Sequence, residues 1–136
     1  MRETFVYHKL QVWHLAKDLV KDIYGFTKSF PAEEKFGLTA QINRAAISVA
    51  SNIAEGSGRM GRKDQAHFTQ LSYGSLMEVA CQLEIAKELD FMSEDELNRI
   101  SGSIQTLAQK LSALRSSQLS SLNSHLSTGV KNDSSK

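Results

Sequence analysis

Residues 55–64 read Glu-Gly-Ser-Gly-Arg-Met-Gly-Arg-Lys-Asp, and their types and spacing suggest phosphate chemistry. Gly56, Gly58 and Gly61 stand in GxGxxG register, with Arg59, Arg62 and Lys63 beside them. Such a turn cradles pyrophosphate when it joins a strand to a helix, with an acidic residue on the following strand. Gly56 and Gly61 also have the outer spacing of a Walker A loop. Arg62-Lys63-Asp64 then follows where that motif continues with Lys and Ser/Thr. The flanking elements decide between a nucleotide loop and a connector.

Those elements are helical. Val12, Leu15, Leu19, Ile23, Phe26 and Phe30 recur at three- and four-residue spacing, predicting a first helix over about 9–30. Pro31 cannot continue it and opens a short turn carrying Glu33 and Glu34. Gly37-Leu38-Thr39 breaks the chain, with Thr39 as candidate N-cap of a second helix to about Glu55, built on Ile42, Ala46, Val49 and Ile53. A third helix spans about 62–89 on Phe68, Leu76, Val79, Leu83 and Ala86. Ser93-Glu94-Asp95-Glu96 is a capping box opening a fourth, with Leu97, Ile100, Ile104, Leu107, Leu111 and Leu114 on one face. After Arg115 serines crowd in, so the domain is set at residues 1–116 and residues 117–136 are expected to be a disordered Ser-rich tail. Four helices with short connections predict an all-α, antiparallel up-down four-helix bundle.

In that setting the glycines follow a helix and no strand precedes them, so the nucleotide-enzyme reading fails. Gly56 or Gly58 is expected to supply a left-handed turn ending helix 2, and Gly61 to loosen the start of helix 3. Arg59, Arg62 and Lys63 remain near a helix N-terminus, where free N–H groups and the dipole favour anions. With Arg44 they form the candidate nucleic-acid-binding set. A solvated basic loop is the alternative.

Charge and composition narrow the classes. The 136 residues carry a net charge of +1, too little by itself to argue for nucleic acid. The charge is segregated: +4 over residues 1–63, −6 over 64–100 and +3 over 101–136. This suits either a local basic surface or a dipolar subunit that attracts its own kind. The longest apolar runs are far short of a membrane span of about 20 residues, and the N-terminus lacks a signal-peptide core. With one cysteine and no intramolecular disulfide, a cytoplasmic protein is expected.

Catalytic candidates are thin. His8, His14, His67 and His125 are scattered, without the pairs on one helical face that zinc requires, and no inward Glu-x-x-His motif suits di-iron. Neither a metal nor a cofactor is expected, and the chain reads as a non-enzyme. His14 and Asp18, four apart, suggest a surface contact. Cys81, among Met77 and Ile85, reads as a small buried hydrophobe. Ser48, Asn52, Glu55, Ser75 and Glu78 form a candidate polar network on adjacent helices. Glu78 lies between apolar stripes, where it would need Arg44 or Asn52 as partner. Helices 1 and 2 are apolar over a broad arc, with Trp13, Ile47 and Ala54 off the main stripe. Central burial or a subunit interface accounts for that breadth.

Taken in order, Val12-Trp13-His14-Leu15-Ala16, Phe30-Pro31, Gly37-Leu38-Thr39, Arg44-Ala45-Ala46, Asn52-Ile53-Ala54-Glu55-Gly56, Arg59 and Gly74-Ser75-Leu76-Met77-Glu78 resemble the 23S rRNA intervening-sequence protein family over about residues 7–115. The resemblance implies a left-handed bundle assembling as a homopentameric ring. It also implies binding to RNA or DNA, or to a partner such as a reverse transcriptase or ribosome-related protein. A pure protein-interaction scaffold is the rival expectation. This chain is less basic than a strong RNA binder would be.

Overall fold

The computed structural model describes residues 5–129, with side chains through Ser120. Four helices, α1 (Gln11–Thr27), α2 (Leu38–Ser57), α3 (Arg62–Glu88) and α4 (Glu94–Gly129), follow a 3-10 turn at Val6–Lys9. A second such turn, Ala32–Glu34, lies between α1 and α2. No strand occurs among the described residues. Each helix packs on its neighbours in sequence and α4 returns against α1, the contact pattern of a four-helix bundle. Ile23, Ile42, Val49, Leu76, Val79, Leu83, Leu107 and Leu111 are fully buried at its centre.

The ends of the helices differ from expectation in instructive ways. α1 stops at Thr27 rather than Phe30, and Phe30 turns inward to meet Phe91 with ring centroids 5.7 Å apart. Thr39 does not cap α2: the helix begins one residue earlier, and the Glu34 carboxylate accepts the Leu38 N–H at 2.9 Å. A negative charge there also suits the helix dipole. No described glycine has a positive φ, so neither Gly56 nor Gly58 makes a left-handed turn; Gly58, at φ −88°, closes α2 in a right-handed one.

The left-handed residue is Asp90, φ 62°, after α3. The Phe91 N–H reaches the Ala86 carbonyl at 2.8 Å and the Asp90 N–H reaches that of Lys87 at 3.0 Å, the two bonds of a Schellman end. Lys87 Nζ then bridges Glu94 at 3.1 Å and Glu88 at 3.3 Å, and these partners raise its pKa. The predicted capping box forms: Ser93 Oγ accepts the Glu96 N–H at 3.1 Å, and Glu96 Oε1 accepts that of Ser93 at 2.8 Å.

The boundary expected at residue 116 falls inside α4, which continues to Gly129. A contact with α3 holds the start of this extension. Thr69 is buried, and its hydroxyl donates to Gln118 Oε1 at 2.8 Å, with Gln118 itself only 8% exposed. The remainder of the expected tail, residues 130–136, lies outside the described residues. Truncation after Ser116 is therefore expected to destabilise the bundle by about 1 kcal/mol through loss of the Gln118 bond, the Thr69 hydroxyl keeping the Gln65 carbonyl at 3.1 Å as acceptor. Truncation after Ser120 should cost less, and urea midpoints of the two proteins compare them.

Candidate nucleic-acid interface

The α2–α3 loop is short, and its cations are held unequally. Arg59 stands over Phe68, its guanidinium 4.5 Å from the centre of the ring. Its Nη2 pairs with Glu55 Oε2 at 3.0 Å and its Nε with Asp64 Oδ2 at 3.7 Å. Gln65 staples the turn: Nε2 donates to the Arg59 carbonyl at 2.8 Å, and Oε1 accepts from Arg62 Nη1 at 3.1 Å. Arg62 and Lys63 are exposed in the first turn of α3, whose N-terminus has no side-chain cap. Neither has an ion pair among the described residues.

Across residues 55–64 three cations meet two carboxylates, so one subunit offers a net +1 here. Arg44 does not join them. Fifteen residues earlier on α2, it stands about 22 Å away at 1.5 Å per residue. Its Nη2 is paired with Glu78 at 2.5 Å.

The polar residues expected to form one network form two clusters along the α2/α3 seam. Ser48 and Ser75 share a hydrogen bond between hydroxyls at 2.8 Å, and Asn52 Nδ2 donates to the Ser48 hydroxyl at 3.0 Å and carbonyl at 2.9 Å. One turn along, Glu78 takes Arg44 and also accepts from Gln82 Nε2 at 3.2 Å, while Gln82 reaches Gln41 at 3.3 Å. Glu55 belongs to the loop with Arg59 rather than to the seam. Arg44, and not Asn52, is the partner of Glu78.

Nor is Glu78 buried. Its side chain is 37% exposed and that of Arg44 is 61% exposed, so solvent screens the pair. Glu78→Ala is thus expected to cost about 1 kcal/mol, the ion pair plus one partner of the buried Gln82 amide, well below a buried pair. Glu88→Ala, at an exposed pair between neighbours, should cost about 0.5 kcal/mol or less. Paired thermal melts distinguish the two.

Trp13, Ile47 and Ala54 do converge. With Tyr7, Lys17 and Val20 they line an open groove of about 400 Å³ between α1 and α2. The N-terminal 3-10 turn completes it: the Tyr7 ring sits 4.7 Å from Trp13, and His14 Nε2 is bonded to the His8 carbonyl at 2.7 Å. His14 is thus fixed by the turn, not by Asp18. Sequence periodicity could not find Tyr7, which lies outside any helical repeat. Among the described residues no group of three or more His, Cys, Asp or Glu is placed to hold a metal. The side chain of His125 lies outside the described residues. Cys81 is exposed, contrary to the buried role expected of it. No described helix is long and apolar enough to cross a membrane.

The geometry has relatives. A family model described as 23S rRNA-intervening sequence protein matches residues 8–113. The fold is similar to the crystal structure of a protein with unknown function from the S23 ribosomal protein family of Bacteroides thetaiotaomicron. The TM-score is 0.71 at 17% identity, covering 76% of this chain and 97% of that one. No curated protein sequence matches the chain.

Proposed function

This chain belongs to the 23S rRNA-intervening sequence protein family, and from that premise we propose that it is a non-enzymatic, homo-oligomeric bundle that binds the phosphate backbone of RNA or DNA. The observation that carries the reading is the first turn of α3, where Arg62 and Lys63 stand exposed and unpaired by carboxylates beside free helical N–H groups. Such contacts attract phosphate without reading sequence. One subunit's net +1 is too weak a site. A left-handed, up-down bundle closed into a homopentameric ring repeats the loop around an axis, and linked weak contacts then add through effective concentration. No cofactor takes part, and a cytoplasmic location fits the role.

A second reading is a scaffold that recruits a protein, such as a reverse transcriptase or a ribosome-related chain, and touches no nucleic acid. The neutralisation of Arg59 by Glu55 and Asp64 favours it. Fluorescence anisotropy with a labelled single-stranded RNA and a DNA duplex separates the two. Arg59, Arg62 and Lys63 replaced together by Ala should weaken binding about tenfold or more at low salt, at unchanged oligomer mass. Equal binding by the variant would move the contact surface elsewhere. A wild type without affinity near 50 mM salt, roughly the low end of the usual range, would leave the scaffold.

A further inference from the structure

The bundle has a second unpartnered apolar surface, on the side of α3 turned away from the core. Leu71, Met77, Ile85 and Leu89 are between 38% and 52% exposed, and Cys81 lies exposed between them. Their spacing of six and then four residues keeps them on one helical face. Gly74 lies in the same stripe, with nothing within 4 Å of where a Cβ would stand, so the middle of the face is flat and open.

Charge sets this face apart from the α1/α2 groove. The groove is lined by Lys17 and Lys21 and by no carboxylate. The α3 face is flanked by Glu84 and Glu88, both exposed. The neighbouring cations are paired within the subunit, Lys87 with Glu88 and Glu94 and Arg44 with Glu78, while Glu84 has no ion pair among the described residues.

We infer that the groove of one copy receives the outward face of α3 of the next copy. This rests on the oligomer of the proposed function and names its interface. Groove against groove would bring lysine to lysine, and face against face glutamate to glutamate. Only the crossed pairing joins apolar floor to apolar ridge with opposite charges at the rim. Ile47, 42% exposed in the groove, and Ile85, 44% exposed on the face, are the residues such a contact would cover. Two different surfaces meeting head to tail make a heterologous contact, the kind that closes rings.

Mixing two blocked copies tests the pairing. Wild type, Ile47→Asp and Ile85→Asp are measured by light scattering at micromolar concentration, with circular dichroism to confirm that each is helical. The wild type should be multimeric and each variant alone a monomer of 15.1 kDa. Mixed in equal amounts, the variants should form a dimer of twice that mass, because the first keeps its α3 face and the second keeps its groove. Ile85→Asp retaining the wild-type mass, or a mixture that stays monomeric, overturns the crossed pairing while leaving the oligomer. A monomeric wild type overturns both. Should either aspartate variant unfold, charge reversal replaces it. Lys17→Glu with Lys21→Glu, and Glu84→Lys with Glu88→Lys, should each weaken assembly, and all four on one chain should restore it. Failure of the fourfold variant to recover mass would overturn the pairing equally.

Discussion

Ser72→Leu is expected to destabilise the bundle by about 3 kcal/mol or more, the largest effect of any change considered for the α2/α3 seam. Ser72 is fully buried, and its hydroxyl donates to the Val49 carbonyl at 2.8 Å, so α3 lies directly against the backbone of α2. An isobutyl group has no space there. Overpacking costs about 1–3 kcal/mol and the lost hydrogen bond about 1 kcal/mol more. Ser72→Ala removes the bond without adding bulk, and should cost only about 1 kcal/mol. Urea denaturation of the two variants separates close approach from hydrogen bonding. If they unfold at the same midpoint, the seam has room for the larger side chain and α3 does not lie against the α2 backbone.

Gly56→Ala should cost about 1–3 kcal/mol for a related reason at the end of the same seam. A Cβ at residue 56 would stand 2.7 Å from Cβ of Phe68 and 3.5 Å from the Gln65 carbonyl oxygen. Phe68 Cβ is fixed to the α3 backbone, so the conflict is relieved only by moving the helix. Alanine's better helix propensity, about 1 kcal/mol, offsets part of the cost without reversing it. Gly25→Ala is the control: nothing lies within 4 Å of that Cβ, and the change should be neutral or stabilising by about 0.5–1 kcal/mol. The effect reaches the candidate site, because Phe68 carries the Arg59 guanidinium and Gln65 ties the loop. Gly56→Ala as stable as Gly25→Ala would show that the hairpin is loose.

Much of this architecture was legible because burial imposes a period. Ile42, Ala46, Val49 and Ile53 on α2, and Ile100, Ile104, Leu107 and Leu111 on α4, repeat at helical spacing and are buried in the core. Ser93 and Glu96 cap α4 because both partners lie within one turn of each other. Trp13, Ile47 and Ala54 were legible as a surface because they are apolar yet off the main stripes, and the structure brings them to one groove.

What escaped the sequence depends on contacts between separated residues. The left-handed turn sits at Asp90, where aspartate does what glycine more often does, so composition pointed to the wrong loop. Gly56 is needed for the approach of Phe68, a residue of the next helix, not for its own φ. Serine content argued for a tail from residue 117, yet Gln118 continues the helix and is buried against Thr69, 49 residues earlier, whose hydroxyl it accepts. At the candidate site, counting cations overstated the charge. Glu55 and Asp64 bracket Arg59 from two different helices, and only the folded hairpin brings both within reach. Glu78 likewise looked buried on a helical wheel, although the seam leaves it open to solvent.

The slope of log affinity against log salt for wild-type protein on a single-stranded RNA and on duplex DNA tests the central claim most directly. Each neutralised phosphate contributes about 0.7 to the slope on a single strand and about 0.9 on a duplex. Arg62 and Lys63 of one subunit would therefore give no more than about 1.4–1.8. An assembly that lays several loops along one strand is predicted to exceed about 3, with affinity falling steeply above low salt. A slope within the single-subunit limit, or no measurable affinity at about 50 mM salt, would contradict the proposal that the oligomer binds nucleic acid through its repeated basic loops.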